Sequence, residues 1–163
     1  MLRFVSGFRL AVLCVAFLAI AGCSKKNTPV LDGSGGSATP GSVAEFQTVV
    51  GDRIYFLVDQ SNLTSEAQDT LSKQAEWLKR YGNVTVQVEG HADERGTREY
   101  NIALSARRAT VTREFLVAQG IEPNRVTTIA FGKERPVALC DAESCWSQNR
   151  RSVTVVTSGA VTQ

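Results

Sequence analysis

Two side chains fifteen positions apart, Asp93 and Arg108, have the chemistry to hold both ends of an amino acid. They sit in a polar stretch from Gly90 to Arg108 that follows an alternating apolar and polar run, residues 84 to 89, of the kind that forms a half-buried strand. From about Asn101 to Ala118 the pattern becomes helical, and Gly120 supplies the left-handed position that closes a helix. A wheel of about 100° per residue puts Leu104, Ala109, Val111, Phe115 and Leu116 on one face, with Arg107, Arg113 and Glu114 on the other. Arg108 falls on the apolar face, as do Asn101 and Ser105, so that face is polar where it begins and a pocket can form there. A buried guanidinium without a partner costs several kcal/mol, and the nearest carboxylate in chain order is Asp93. Two readings follow. In one, the pair is a structural salt bridge that fixes the loop. In the other it is a clamp: Asp93 accepts from an ammonium or amide N–H while Arg108 grips a carboxylate through two parallel bonds.

Other chemistries are poorly served. His91 with Asp93 and Glu94 suggests a metal hydrolase, but it is the one histidine in the chain, and no second histidine or cysteine stands at ligand spacing. Its plain reading is a loop residue bonded to a backbone carbonyl. No Gly-x-Ser-x-Gly is present to serve a serine nucleophile. The residues therefore predict a binding protein, not an enzyme, with no cofactor and no metal.

The run from Gly90 through Asn101, then Leu104 and Arg107-Arg108-Ala109, resembles the signature of the OmpA-like peptidoglycan-binding domain family. The likeness continues through Gly132-Lys133-Glu134-Arg135-Pro136 and Asn149-Arg150-Arg151, and covers roughly residues 53 to 157. It implies that Asp93 and Arg108 hold the diaminopimelate of the wall peptide, with Thr97, Asn101 and Leu104 beside them. Asp59 joins more weakly, either as a wall of the groove or as an Asx-turn ending a strand. Leu57 and Val58 stand where the family usually has an acid and a phenylalanine, so that edge of the groove is expected to differ. The resemblance also implies partners: peptidoglycan, and TolB and other proteins of the Tol system, which compete for overlapping surface.

Arg3 and Arg9 precede an apolar stretch of about 12 residues, Leu10 to Ala21, too short for a bilayer span and right for a signal peptide over residues 1–22. Ile20-Ala21-Gly22-Cys23 resembles a bacterial lipobox, which makes Cys23 the lipidated N-terminus, and Ser24 resembles the signal for outer-membrane sorting. More than one acyl chain at Cys23 gives stable anchoring. Loss of Arg3 and Arg9 with the signal lowers the formal charge from +2 to zero, and an exported neutral chain is no partner for nucleic acid despite Arg107-Arg108 and Arg150-Arg151. Cys140 and Cys145 remain as a pair. An oxidising periplasm favours a bridge if the turn brings them together, and two free thiols if it does not.

Residues 23–44 are rich in Gly, Ser and Pro and read as a flexible tether, whose nineteen residues from 24 to 42 average about 25 Å end to end. The remaining domain, 45–158 with a short tail 159–163, is expected to open with a short helix capped by Ser42 and a strand over 53–58. A helix capped by Thr64 follows and runs to about Tyr81, with Leu71, Ala75 and Leu78 on one face. Further strands are expected at 126–131 and 152–157, with Trp146 and the cysteine pair in the loop between them. The fold class is an α/β (α+β) two-layer sandwich: a mixed sheet of about four strands on two long helices.

Overall fold

The computed structural model describes residues 38–162. The expected signal peptide, the lipidated Cys23 and most of the tether lie outside the described residues. Within them a short helix, α1 (Val43–Glu45), passes into a wider helical turn, Phe46–Gly51, and then into β1 (Arg53–Tyr55). There follow α2 (Ser65–Arg80), β2 (Thr85–Gly90), α3 (Arg98–Ala118), β3 (Val126–Ala130), α4 (Glu143–Asn149) and β4 (Arg151–Ser158). The strands lie in the order β1-β4-β2-β3, with β2 and β3 parallel and the other pairs antiparallel. A parallel pair needs a crossover, and α3 supplies it. The result is the expected mixed four-stranded sheet with α2 and α3 as its long helices.

One core forms between the sheet and these helices. Val86 and Val88 of β2, Leu71, Ala75 and Leu78 of α2, and Ala109 and Leu116 of α3 are all buried in it. Polar side chains stitch its edge: Gln74 donates to the Gly51 carbonyl at 2.7 Å and accepts from the Thr154 hydroxyl at 2.8 Å. Gly90 decides where α3 can lie. A Cβ there would collide with the backbone carbonyl of Ser105, so only glycine lets the start of α3 press against the end of β2. That contact points the loop of residues 91 to 97 at the mouth of the first α3 turns.

Several boundaries differ from expectation, each for a local reason. The first strand stops at Tyr55 rather than residue 58, because its partner β4 begins at Arg151, opposite Tyr55. Leu57 and Val58 turn outward and are exposed, and Asp59 takes φ of 59°. α3 begins three residues before Asn101, since Arg98, Glu99 and Tyr100 form an exposed first turn that carries no apolar period. The domain also takes in residues assigned to tether and tail. Ser42 is buried and bridges Val161, whose N–H donates to the Gly41 carbonyl at 3.0 Å. The segment before β4 is not all loop: it folds as α4, with Cys145 and Trp146 inside the helix.

Candidate functional site

A cavity of about 310 Å³, at the lower end of ligand-site sizes, opens where β1, the 91 to 97 loop and α3 meet. Its lining is Val58, Asp59, Asp93, Arg95, Gly96, Tyr100, Asn101, Leu104 and Arg108. Five of the six residues expected to bind are therefore together: Asp93, Arg108, Asn101, Leu104 and Asp59. The sixth, Thr97, stands apart. It does not line the cavity, because its hydroxyl is the N-cap of α3 and accepts from the Tyr100 N–H at 3.2 Å.

Arg108 is fully buried. Its guanidinium donates to three backbone carbonyls, Gln60 at 2.9 Å, His91 at 2.9 Å and Leu57 at 3.3 Å, and lies 5.0 Å from the Phe56 ring centroid. A guanidinium has five N–H donors, and these bonds use three of them. Burial lowers its pKa to about 10, against the pull of Asp93 and Asp59, which leaves it charged at neutral pH.

Asp93 is held differently. Its Oδ2 accepts from Arg95 at 2.6 Å and from Arg150 at 3.3 Å, and its Oδ1 from the Arg95 backbone N–H at 3.2 Å. Burial pushes its carboxyl pKa up, but the Arg95 bonds and charge, helped by Arg150, outweigh this and hold it below the ordinary value. Among the described residues no ion pair joins Asp93 to Arg108. The structural salt bridge between them is thus corrected: two carbonyls after β1 and one after β2 surround Arg108, and two other arginines take Asp93.

The remaining lining shapes the rim. Asn101 is buried and donates to the Arg95 carbonyl at 2.8 Å, fixing the loop to the helix, and the Tyr100 hydroxyl donates to Asp59, joining α3 to the β1 turn. Val58 lines the cavity and Leu57, next to it, is exposed outside the lining. His91 is also a correction. Its ring is buried and stacked on Phe131 at 5.4 Å, neither nitrogen has a hydrogen-bond partner, and the Glu89 carboxylate lies 3.5 Å away. It serves the site through its backbone carbonyl. Burial, then the charges of Arg151 and Arg135, lowers its pKa to about 4, so it is neutral at pH 7. Among the described residues no three histidine, cysteine, aspartate or glutamate side chains gather as a metal site.

Sequence reasoning missed the residues behind Asp93. Arg95 pairs with it from two positions away. Arg150 is buried and bonded to Glu143 and Asp93; the sequence marks it as one of a basic pair and as part of the family likeness, with no role at the site. Cys140 and Cys145 are bonded, with Cα atoms 5.7 Å apart, within reach of a bridge.

The sequence matches the OmpA family over residues 55–150. It is 56% identical over 152 residues to the peptidoglycan-associated lipoprotein of Brucella melitensis, covering 90% of each chain. Among solved structures it is similar to the peptidoglycan-associated lipoprotein of Burkholderia pseudomallei, with a TM-score of 0.64 and 36% identity over 65% of this chain and 90% of that one. It shares its fold with the C-terminal domain of Helicobacter pylori MotB, with a TM-score of 0.62 and 19% identity, covering 66% of this chain and 84% of the other.

Proposed function

The chain belongs to the OmpA family, and from that premise we propose that it is an outer-membrane lipoprotein whose periplasmic domain binds peptidoglycan through the diaminopimelate of the stem peptide. It is a binding protein and not an enzyme, and it needs no cofactor. One observation carries the proposal: Asp93 and Arg108 line the same cavity without bonding to each other. Diaminopimelate in a stem peptide ends in a free ammonium and a free carboxylate on one carbon. Asp93 faces the ammonium, the two unused N–H groups of Arg108 face the carboxylate, and Leu104 packs on the methylene chain between. With Cys23 lipidated, the interaction ties outer membrane to wall across the tether, the task of the Tol-Pal system in keeping the envelope intact and constricting it at division.

A second role, docking on TolB, is favoured by the apolar rim. Leu57, Val58 and Tyr100 are each about half exposed beside the cavity mouth, and a protein seated on them closes it. Peptidoglycan and TolB then exclude one another.

The test is calorimetric titration with two tripeptides, one ending in diaminopimelate and one in lysine. Lysine keeps the ammonium and lacks the carboxylate, so it forfeits one or two charge-assisted bonds, roughly 2 to 4 kcal/mol of affinity. Equal binding of the two peptides overturns the clamp.

A further inference from the structure

α4 is seven residues long and buries one side chain, Asn149. A helix of that length has no stability of its own, since isolated helices need roughly 12 to 15 residues, and one buried side chain gives little packing to compensate. It is held at both ends to the preceding segment. Near its start, Cys145 is bonded to Cys140. At its end, the Asn149 amide accepts from the Val137 and Ala138 N–H groups at 2.8 and 3.2 Å and donates to the Ala138 carbonyl at 2.8 Å.

What the helix presents toward the cavity is a support for two arginines. Glu143 accepts from both terminal nitrogens of Arg150. The Trp146 ring lies 4.2 Å from the Arg95 guanidinium, and its indole N–H donates to Glu94 at 2.8 Å. Arg95 and Arg150 are the two side chains that hold Oδ2 of Asp93. Each grips Asp93 on one side and rests on α4 on the other. Arg108 has no such dependence, because its partners are backbone carbonyls outside α4.

We propose that Glu143 and Trp146 are positioning residues for Asp93, and that the Cys140–Cys145 bridge, by holding α4 in place, sets how well the cavity binds an ammonium group. The proposal rests on the diaminopimelate reading above. Reduction by a dithiol breaks the S–S bond: the dithiol gives two electrons and two protons, leaves Cys140 and Cys145 as thiols, and is itself oxidised to a disulfide. α4 is then held at its Asn149 end alone. Arg150 and Arg95 lose their outer supports, and Asp93, still bonded to the Arg95 backbone N–H and to an Arg150 held by the Phe56 carbonyl, is fixed less firmly in one orientation. A binding group that must be ordered by its ligand binds more weakly than one already in place.

The experiment uses the full-length lipoprotein in detergent micelles as wild type, C140S/C145S, E143Q and W146L. Two probes are titrated: the diaminopimelate tripeptide, and the same peptide acetylated on its side-chain amine, which keeps the carboxylate and removes the ammonium. The variants are expected to bind the first peptide about tenfold more weakly, the scale on which groups supporting a ligand from behind act, and the acetylated peptide as wild type does. A second readout needs no ligand. The Asp93 carboxyl carbon, followed by NMR, should titrate at higher pH in C140S/C145S, because Arg95 and Arg150 bind it less firmly while Arg108 across the cavity is unmoved. Should C140S/C145S fail to fold, E143Q alters an exposed carboxylate with the bridge intact and gives the same reading. Wild-type binding with neither affinity nor titration altered overturns the proposal. So does an equal loss for both peptides, which marks general loosening. If no protein binds either peptide and the Asp93 titration still moves, the diaminopimelate reading fails and the positioning role stands.

Discussion

The two halves of the cavity are built from different materials. Arg108 is fixed by backbone: the carbonyls of Leu57, Gln60 and His91 surround its buried guanidinium. Asp93 takes one bond from the Arg95 backbone N–H and is otherwise fixed by the side chains of Arg95 and Arg150, which lean in turn on α4, with Arg150 also donating to the Phe56 carbonyl. Backbone carbonyls are present whatever side chain a residue carries, whereas a relay of side chains changes with a single substitution. The Arg108 half is thus tied to the backbone of the domain, and the Asp93 half depends in part on a seven-residue helix and its bridge.

The sharpest way to break this comparison is a double-mutant cycle on Arg108→Ala and Asp93→Ala. Arg108→Ala strands three carbonyls and opens a void, so stability should fall by roughly 2 to 4 kcal/mol and peptide binding should be lost. Asp93→Ala should cost less, about 1 to 2 kcal/mol, because Arg150 keeps Glu143 and the half-exposed Arg95 turns to solvent. If the halves are separate, their coupling in urea unfolding without ligand should stay below about 1 kcal/mol. A direct buried pair would give about 3 to 5 kcal/mol and would join what the structure keeps apart.

Acid unfolding separates the halves by pH. His91, whose carbonyl belongs to the Arg108 half, is neutral in the fold down to about pH 4 against an ordinary 6.5. Between those values the unfolded chain takes up a proton that the folded chain refuses, so stability should decline as pH falls through that window. Asp93 acts in the same direction at lower pH: its folded pKa lies below the ordinary 3.8, so its contribution is present above that pH and lost as pH falls through the folded value. His91→Gln should flatten the upper limb of stability against pH and Asp93→Asn the lower one. One substitution flattening both limbs would show that the halves titrate together.

The smallest expected effect comes from Arg107→Ala. Arg107 is exposed on the outer face of α3 beside the buried Arg108. Stability and affinity should stay within about 0.5 kcal/mol of wild type in urea unfolding and calorimetry. A large effect there with a normal Arg108→Ala protein would put α3 in the wrong rotation and the cavity in the wrong place.

Local pattern determined much of this protein. The 3.6-residue period of α3 was enough to send Asn101, Ser105 and Arg108 inward and Arg107 outward, because helix geometry fixes which side chains share a face. Thr64 announced the start of α2 and Gly120 the end of α3, since caps are local chemistry. What the sequence left undecided was which charge meets which. Asp93 and Arg108 looked like partners because chain order offered no nearer carboxylate, yet Arg150 reaches Asp93 from 57 positions away and the Leu57 carbonyl reaches Arg108 from 51. Backbone carbonyls carry no sequence signal at all, since every residue has one, and Glu143 becomes a support only when α4 folds against the loop. Those contacts depend on the sheet order bringing β1, β2 and β4 to one end. A sequence names the groups that need partners, and only the assembled chain supplies the positions from which partners can reach them.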